Sequence, residues 1–334
     1  TRVGGRDPVA DAAAVAVAVY PSRSTTTRPE IVTIVNEDDW RSGIAASVLM
    51  AAPLRSPVLF SGRDDVPEAT REAINTLAPS GSREAKGAQA LRVGDVAAPG
   101  NVRSTSVSGP DAFALAESID NFKTDVSGEP SPRIVIASGD DKSFAMPAAA
   151  WAAKSGDPVL FAQKDKLPGP TVRAIKRHEQ PAIYVLGPRS VISGSVIERL
   201  RKLGDVKRIA GRTPIENAIA FAKFTDGDFG WGLQDPGHGL VLANVGRAQD
   251  AGAGAALAAA GKYGPLLLTD SASELPPELE TYFLDIKPGY RFDPVRGVYN
   301  HAWLMGDEDA ISVDLQAHVD QLMEIVRVRQ QGST

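Results

Sequence analysis

Three short stretches gather the side chains best suited to holding a ligand. Asn36-Glu37-Asp38-Asp39-Trp40, Gly139-Asp140-Asp141 and Arg247-Ala248-Gln249-Asp250 each follow an apolar run and precede an Ala-rich one. Clustered carboxylate oxygens suit a hard cation such as calcium, or a network of sugar hydroxyls. Acids placed just before a helix also cap its free amides and complement its dipole. The spacing of Asp38, Asp39, Asp140, Asp141 and Asp250 lacks the alternation of a calcium loop, which favours capping. A second group is basic: Arg201, Lys202, Lys207, Arg208 and Arg212, with Arg247 in the third stretch. A polymer bearing phosphates or carboxylates would need such a patch. Glu198, Arg201 and Lys202 also have the spacing of ordinary helix-surface pairs. Trp40 and Trp231 fall in loops, where an indole either stacks on a sugar or plugs a contact between units. Trp151 lies in an Ala-rich helix and reads as core.

Catalytic chemistry has less support. The chain has no cysteine, which excludes disulfides, thiolate metal sites and cysteine nucleophiles. His178, His238, His301 and His318 fall in different elements without ligand spacing, so neither a metal nor a cofactor is expected. No Gly-rich phosphate loop follows a strand, and no Gly-x-Ser-x-Gly elbow occurs. "SGSV" (193–196) reads as a helix cap. The formal net charge of −5 argues against a general nucleic-acid binder. No apolar run approaches the roughly 18 residues of a membrane helix, so no membrane insertion is expected. The 334 residues are 43% apolar and 23% charged, a globular composition.

The elements that must position these residues repeat. "SPVLFSGRDDVP" from Ser56 returns as "DPVLFAQKDKLP" from Asp157 and, with one residue inserted, as "GPLLLTDSASELP" from Gly264. Repeats of this kind decide a fold before any local reading does. Upstream of each lies a continuous apolar strand: "EIVTIVNEDDW", "RIVIASGDDKSF" and "GLVLANVGRAQD". Such runs belong in parallel sheets covered on both faces. Each is followed by an Ala-rich helix, the echo strand, a Pro turn, a polar helix and a third strand. "TRVGGRDPVADAAAVA", "TSVSGPDAFALAESI" and "KRIAGRTPIENAIAFA" open the three units, with Gly5, Gly109 and Gly211 in register. Boundaries fall at 1–102, 103–204 and 205–334. Unit three is longest, through "DIKPGYRFDPVRG" and its last helix. Unit one lacks a helix after its third strand, so a neighbouring unit is expected to cover that face. Alternating strands and helices imply right-handed crossovers and three-layer α/β units with parallel sheets, flavodoxin-like or Rossmann-like in outline.

This order of elements resembles the type 2 cell-wall-binding repeats of Gram-positive surface proteins. The resemblance is carried by "RVGGRDPVADAA", by "RIVIASGDDKSFAMPAAAWAAKSGDPVLFAQKDKLP" and by "IYVLGPRSVISGSVIERLRKLGDVKRIAGRT". It covers nearly the whole chain in three copies. It implies a pseudo-threefold trimer of units within one chain. It also implies non-covalent attachment to an anionic cell-wall polysaccharide by a non-catalytic, secreted protein of the bacterial surface. The chain opens at Thr1 without an initiator Met, which reads as a leader already removed or a trimmed chain. Two other readings stand beside attachment. One is a self-assembling subunit of a surface layer, sheath or filament. The other is a small-ligand receptor or enzyme at one sheet's carboxyl end.

Overall fold

The structure is a computed structural model describing residues 1–259 and 264–328. The end of the third Ala-rich run, 260–263, and the last residues of unit three, 329–334, lie outside the described residues. The chain opens with β1 (Arg2–Val3) and α1 (Pro8–Val19), then β2 (Val32–Asn36), α2 (Trp40–Ala46), β3 (Val58–Ser61), α3 (Glu68–Leu77) and β4 (Ala90–Val93). The second pass runs β5 (Ser104–Val107), α4 (Ala112–Ser127), β6 (Arg133–Ser138), α5 (Lys142–Ala145), α6 (Pro147–Ser155), β7 (Val159–Ala162), α7 (Gly169–Arg177), β8 (Ala182–Leu186) and α8 (Gly194–Leu200). The third begins with β9 (Asp205–Ile209), α9 (Pro214–Lys223) and a small hairpin, β10 (Thr225–Asp226) with β11 (Phe229–Gly230). It continues through β12 (Gly239–Asn244), α10 (Asp250–Ala259), β13 (Leu266–Thr269) and α11 (Pro277–Asp285). It ends with β14 (Gly289–Tyr290), β15 (His301–Met305), α12 (Val313–Met323) and β16 (Val326–Arg327).

The large strands form three parallel sheets of identical plan: β3-β2-β4-β5, β7-β6-β8-β9 and β13-β12-β15-β1. Each central strand is predominantly apolar and buried along most of its length, as a strand covered on both faces must be. Thr33, Val135 and Val241 occupy one register, opposite Val58, Val159 and Leu266. The fourth strand of every sheet comes from the opening of a different sequence unit. β5 and β9 extend the sheets of the units before them. β1 closes the third sheet, with Arg2 opposite Leu304 and Val3 opposite Met305. The helix after each donated strand packs on the next sheet in the cycle: α1 on β3 and α3, α4 on β7 and α7, α9 on β13 and α11. Strand and helix of each opening module therefore belong to two different sheets, and the cycle closes on itself.

The opening glycines make that module possible. A methyl group at Gly109 would lie 2.4 Å from the Leu115 backbone nitrogen, and one at Gly211 2.2 Å from that of Asn217. Only a residue without a side chain lets the turn fold back so closely onto its own helix. At the pseudo-threefold axis α2, α6 and α10 pack against one another. Their Ala-rich sequences allow this: a methyl at Gly252 would sit 3.0 Å from the Gly43 backbone. The bare face expected on sheet one is covered from within unit one and not by a neighbouring unit. Val96 and Val102 of the connection after β4 join Ala73, Ile74 and Leu77 of α3 and Ala16 of α1 over Val32, Ile34, Leu59 and Ala90. Among the described residues no helix is long and apolar enough to cross a membrane.

Candidate functional site

All three central strands end beside the axis, and the loops that follow them touch in a ring. Arg41 Nε donates to the Gly139 carbonyl of the second loop (2.7 Å). Lys142 Nζ donates to the Gly246 carbonyl of the third (3.4 Å). Gln249 Nε2 donates to the Glu37 carbonyl of the first (2.9 Å). By strand register Arg41 and Gln249 are equivalent, as are Gly139 and Glu37. The third equivalent donor position holds Ser143, which is too short, and its neighbour Lys142 replaces it. Each loop is turned by its own polar strand-end residue. Asn36 accepts from Asp38 N (2.8 Å), Ser138 from Asp141 N (2.9 Å) and Asn244 from Gly246 N (2.9 Å).

The acids foreseen at these loops divide by role. Asp39 caps α2 by accepting from Arg41 N (3.1 Å), and Asp141 caps α5 through Ser143 N (3.0 Å). Asp140 accepts from Lys164 N (2.8 Å), tying the loops after β6 and β7. Asp38 is exposed at the rim of an open cleft of about 580 Å³ that also has Asp7, Glu37 and Glu68 in its wall. Burial, together with the charges of Asp38, Asp65 and Asp7, raises the Glu37 pKa above the usual carboxylate value. That cleft favours cations and repels anions. Burial likewise raises Asp39, against its hydrogen bonds and Arg41.

Arg247 and Asp250 face inward. Arg247 pairs with both Asp250 (Nε to Oδ2, 2.9 Å) and Asp11 of α1, and neither carboxylate is exposed to solvent. Asp11 also accepts from the Gly5 backbone N–H, as Asn217 does from Gly211 N (3.2 Å). Two buried carboxyls share one guanidinium. Burial, reinforced by the charge of Asp11, holds Asp250 well above the usual carboxylate value. This centre fastens α1 to sheet three.

The basic residues do not form one patch. Arg201 pairs with Glu198 (2.6 Å) and stands with exposed Lys202 at the amino end of sheet two. Lys207 pairs with Asp226 of the hairpin, and Arg212 with Glu216 (2.8 Å). Arg208 turns its fork onto the carbonyls of Gly187 and Ile192, the latter at 2.7 Å. Arg2 does the same in sheet three, reaching Gly306 O (3.1 Å), Asp307 O (2.6 Å) and Ile311 O (2.6 Å). The repeated Arg-x-x-Gly of Arg2–Gly5 and Arg208–Gly211 was the sequence signal for this clasp. Trp40 packs edge-on against Phe161 of β7 (6.0 Å) with the Arg41 guanidinium over its ring, a contact between units. Trp231 is buried beside Trp151 (5.5 Å) and also plugs a contact.

The residues that sequence reasoning passed over are the exposed cations beyond the strand ends of sheet two: Lys142, Lys164, Lys166 and Arg189. Lys142 opens α5, Lys164 and Lys166 share the loop after β7 and Arg189 follows β8, so no charge run announced them. Of the acids beside them, Asp140 and Asp141 are engaged by backbone amides, and Asp165 is exposed between Lys164 and Lys166. The corresponding loops of units one and three carry chiefly acids: Glu37, Asp38, Asp64 and Asp65 in one, Asp270, Asp307, Glu308 and Asp309 in the other. Among the described residues no group of three or more His, Asp and Glu is placed to hold a metal ion.

Residues 106–197 and 208–316 match the family described as Cell wall binding domain 2. The chain is 26% identical over 214 residues to "Amidase enhancer" of Bacillus subtilis (strain 168), an alignment covering 63% of this chain and 28% of that protein. Its fold is similar to Cwp6 from Clostridium difficile, with a TM-score of 0.76 at 18% identity over 97% of this chain and 48% of that one. Cwp8 from Clostridium difficile gives a TM-score of 0.71 at 20% identity, over 96% of this chain and 51% of that one. The chain thus spans about half the length of these solved structures and less of the curated relative.

Proposed function

The chain belongs to the cell wall binding domain 2 family, and we propose that it attaches non-covalently to an anionic wall polymer through the carboxyl edge of sheet two. Membership ties the chain to the cell wall; the polymer, its charge and the edge are our reading. The observation that carries it is the charge contrast among three otherwise equivalent edges. The whole chain has a net charge of −5, so only a local patch attracts a polyanion. Lys142, Lys164, Lys166 and Arg189 supply one, exposed and beyond the strand ends of sheet two. Their amines and guanidinium meet phosphate or carboxylate groups as charge-assisted hydrogen bonds. A polymer repeats its charges, so weak contacts accumulate as avidity. Binding of this kind requires no bond making, and we read the protein as a non-catalytic, secreted component of the surface.

The test is retention on purified cell walls. Retention should fall with added salt, because exposed charges are screened within about 8 Å at physiological ionic strength. The triple variant Lys142→Ala/Lys164→Ala/Arg189→Ala should weaken it about tenfold, at up to ~1 kcal/mol for each exposed charge. Arg201→Ala/Lys202→Ala, at the other end of the sheet, should leave it unchanged. Salt-insensitive retention that survives the triple variant would remove the case for this edge.

A further inference from the structure

Unit three departs from its siblings at the end of the molecule opposite the loop ring. The connection from α7 to β8 spans only 178–181, whereas that from α11 to β15 spans 286–300. The longer connection leaves several of its large side chains outside. Phe292 is 88% exposed, Tyr299 69% and Val298 51%. Apolar groups left outside in this way mark an interaction surface. They are also held in place. Asn300, 5% exposed, accepts from Gly237 N (2.8 Å) and His238 N (3.1 Å) and donates to Ile286 O (2.8 Å). One buried amide therefore pins the loop before β12, the end of α11 and the segment carrying Tyr299. His301 N donates to His238 O (2.9 Å) and completes the frame.

Two open clefts, of about 510 and 550 Å³, share Tyr299 and His301. Both fall in the range of small-ligand sites, roughly 300–1,000 Å³. The first adds His238 to its wall; the second adds Asp320 and Gln321 of α12 and Glu324 just beyond it. Among the described residues neither wall contains a lysine or arginine. The chemistry is therefore unlike that of the sheet-two edge: an exposed phenol ring, imidazole, amide and carboxylate groups, with no lysine or arginine. Two carboxylates repel a polyanion. They accept hydrogen bonds from hydroxyls and amide N–H groups, while an aromatic ring packs on the apolar face of a pyranose.

We propose that these paired clefts bind a neutral glycan strand, with Tyr299 as the stacking platform between two sugar subsites. The proposal rests on the wall reading only for the source of the strand; the site, the charge class and the residues are separate. The probe is the β-1,4-linked tetramer of N-acetylglucosamine, titrated calorimetrically into the whole chain at millimolar concentration, with saturation-transfer NMR on the same mixture. Wild type should bind. Tyr299→Ala should weaken binding about tenfold, the worth of one aromatic contact, and Tyr299→Phe should restore most of it. Circular dichroism should show both variants folded. The sheet-two triple variant should bind the tetramer as wild type does, and Tyr299→Ala should keep its salt-releasable retention on walls, so the two sites fail independently. Absence of heat and of saturation transfer with wild type overturns the proposal, as does equal binding by Tyr299→Ala. It is also overturned if this face only pairs two copies of the chain, seen as self-association that Tyr299→Ala abolishes while the tetramer has no effect.

Discussion

Two of the ionisable groups that organise the molecule are invisible at the level of motif. His178 is buried at the end of α7 with both ring nitrogens engaged. Nδ1 lies 2.7 Å from Ser131 O, and Nε2 lies 2.9 Å from Asp120 Oδ2 on α4. Both neighbours are acceptors, so the ring carries two protons. Burial by itself would lower the pKa, but the hydrogen bond and charge of Asp120 outweigh it and raise it above 6.5. A raised folded-state value stabilises fully below the unfolded value, and the gain is lost as pH rises through the folded one. Wild type should therefore lose stability relative to Asp120→Asn/His178→Gln as pH climbs from 6.5 through the raised folded-state value, the gain being fully present below 6.5. Urea denaturation of both proteins across that range checks the slope; a gap that widens with pH would mean the ring is neutral. Nothing in the sequence pointed from His178 to Asp120, because the two meet only through the packing of α4 on α7. Arg247 and Asp250 were legible as a loop pair but not as a buried centre, since their third member, Asp11, lies 236 residues from Arg247.

At the scale of elements the sequence was informative where burial imposes a pattern. The apolar runs of β2, β6 and β12 and the echo strands β3, β7 and β13 marked a triplicated parallel unit, and the three sheets follow that plan. The donated strands were not legible as such. β1 is two residues long and β5 is largely exposed, so neither has the periodicity that identifies a buried strand. What marked them was the glycine after each. That glycine supports a prediction. Gly211→Ala puts a methyl into the Glu216–Asn217 backbone at 2.2 Å, where nothing flexible can yield. The turn must open, which lifts β9 from sheet two or α9 from sheet three. The expected cost is about 1–3 kcal/mol, the range for overpacking a tight site, read as a lower denaturation midpoint. Gly100→Ala, with open space around its Cβ, is the matched control and should change little. Equal stability of the two variants would mean that the turn is looser than its geometry indicates. The charge contrast among the three edges was hidden for a related reason: Lys142, Lys164 and Arg189 come together only once β6, β7 and β8 lie side by side.

The exchange of strands has its largest consequence for the molecule as a whole. In a simple tandem array each repeat contacts its neighbours alone, and the ends fray independently. Here the opening strand of one unit completes another's sheet, its helix covers a third element, and β1 seals the cycle against β15. The buried Asp11–Arg247–Asp250 centre fastens the same closure from the side-chain level. The three central helices share one Ala-rich seam, so no sheet can lose its crossover helix without exposing the other two. A ring tied in this way should unfold as one body despite its three units. Scanning calorimetry should give a single transition with calorimetric and van't Hoff enthalpies in agreement. Deleting residues 1–7 should lower that transition and split it, because sheet three loses its edge strand and α1 its capping Asp7 while sheet two stays intact. Three resolved transitions in the complete chain would instead make the units independent. The cationic edge of sheet two would then sit on a unit flexibly linked to the others rather than being held in one closed ring.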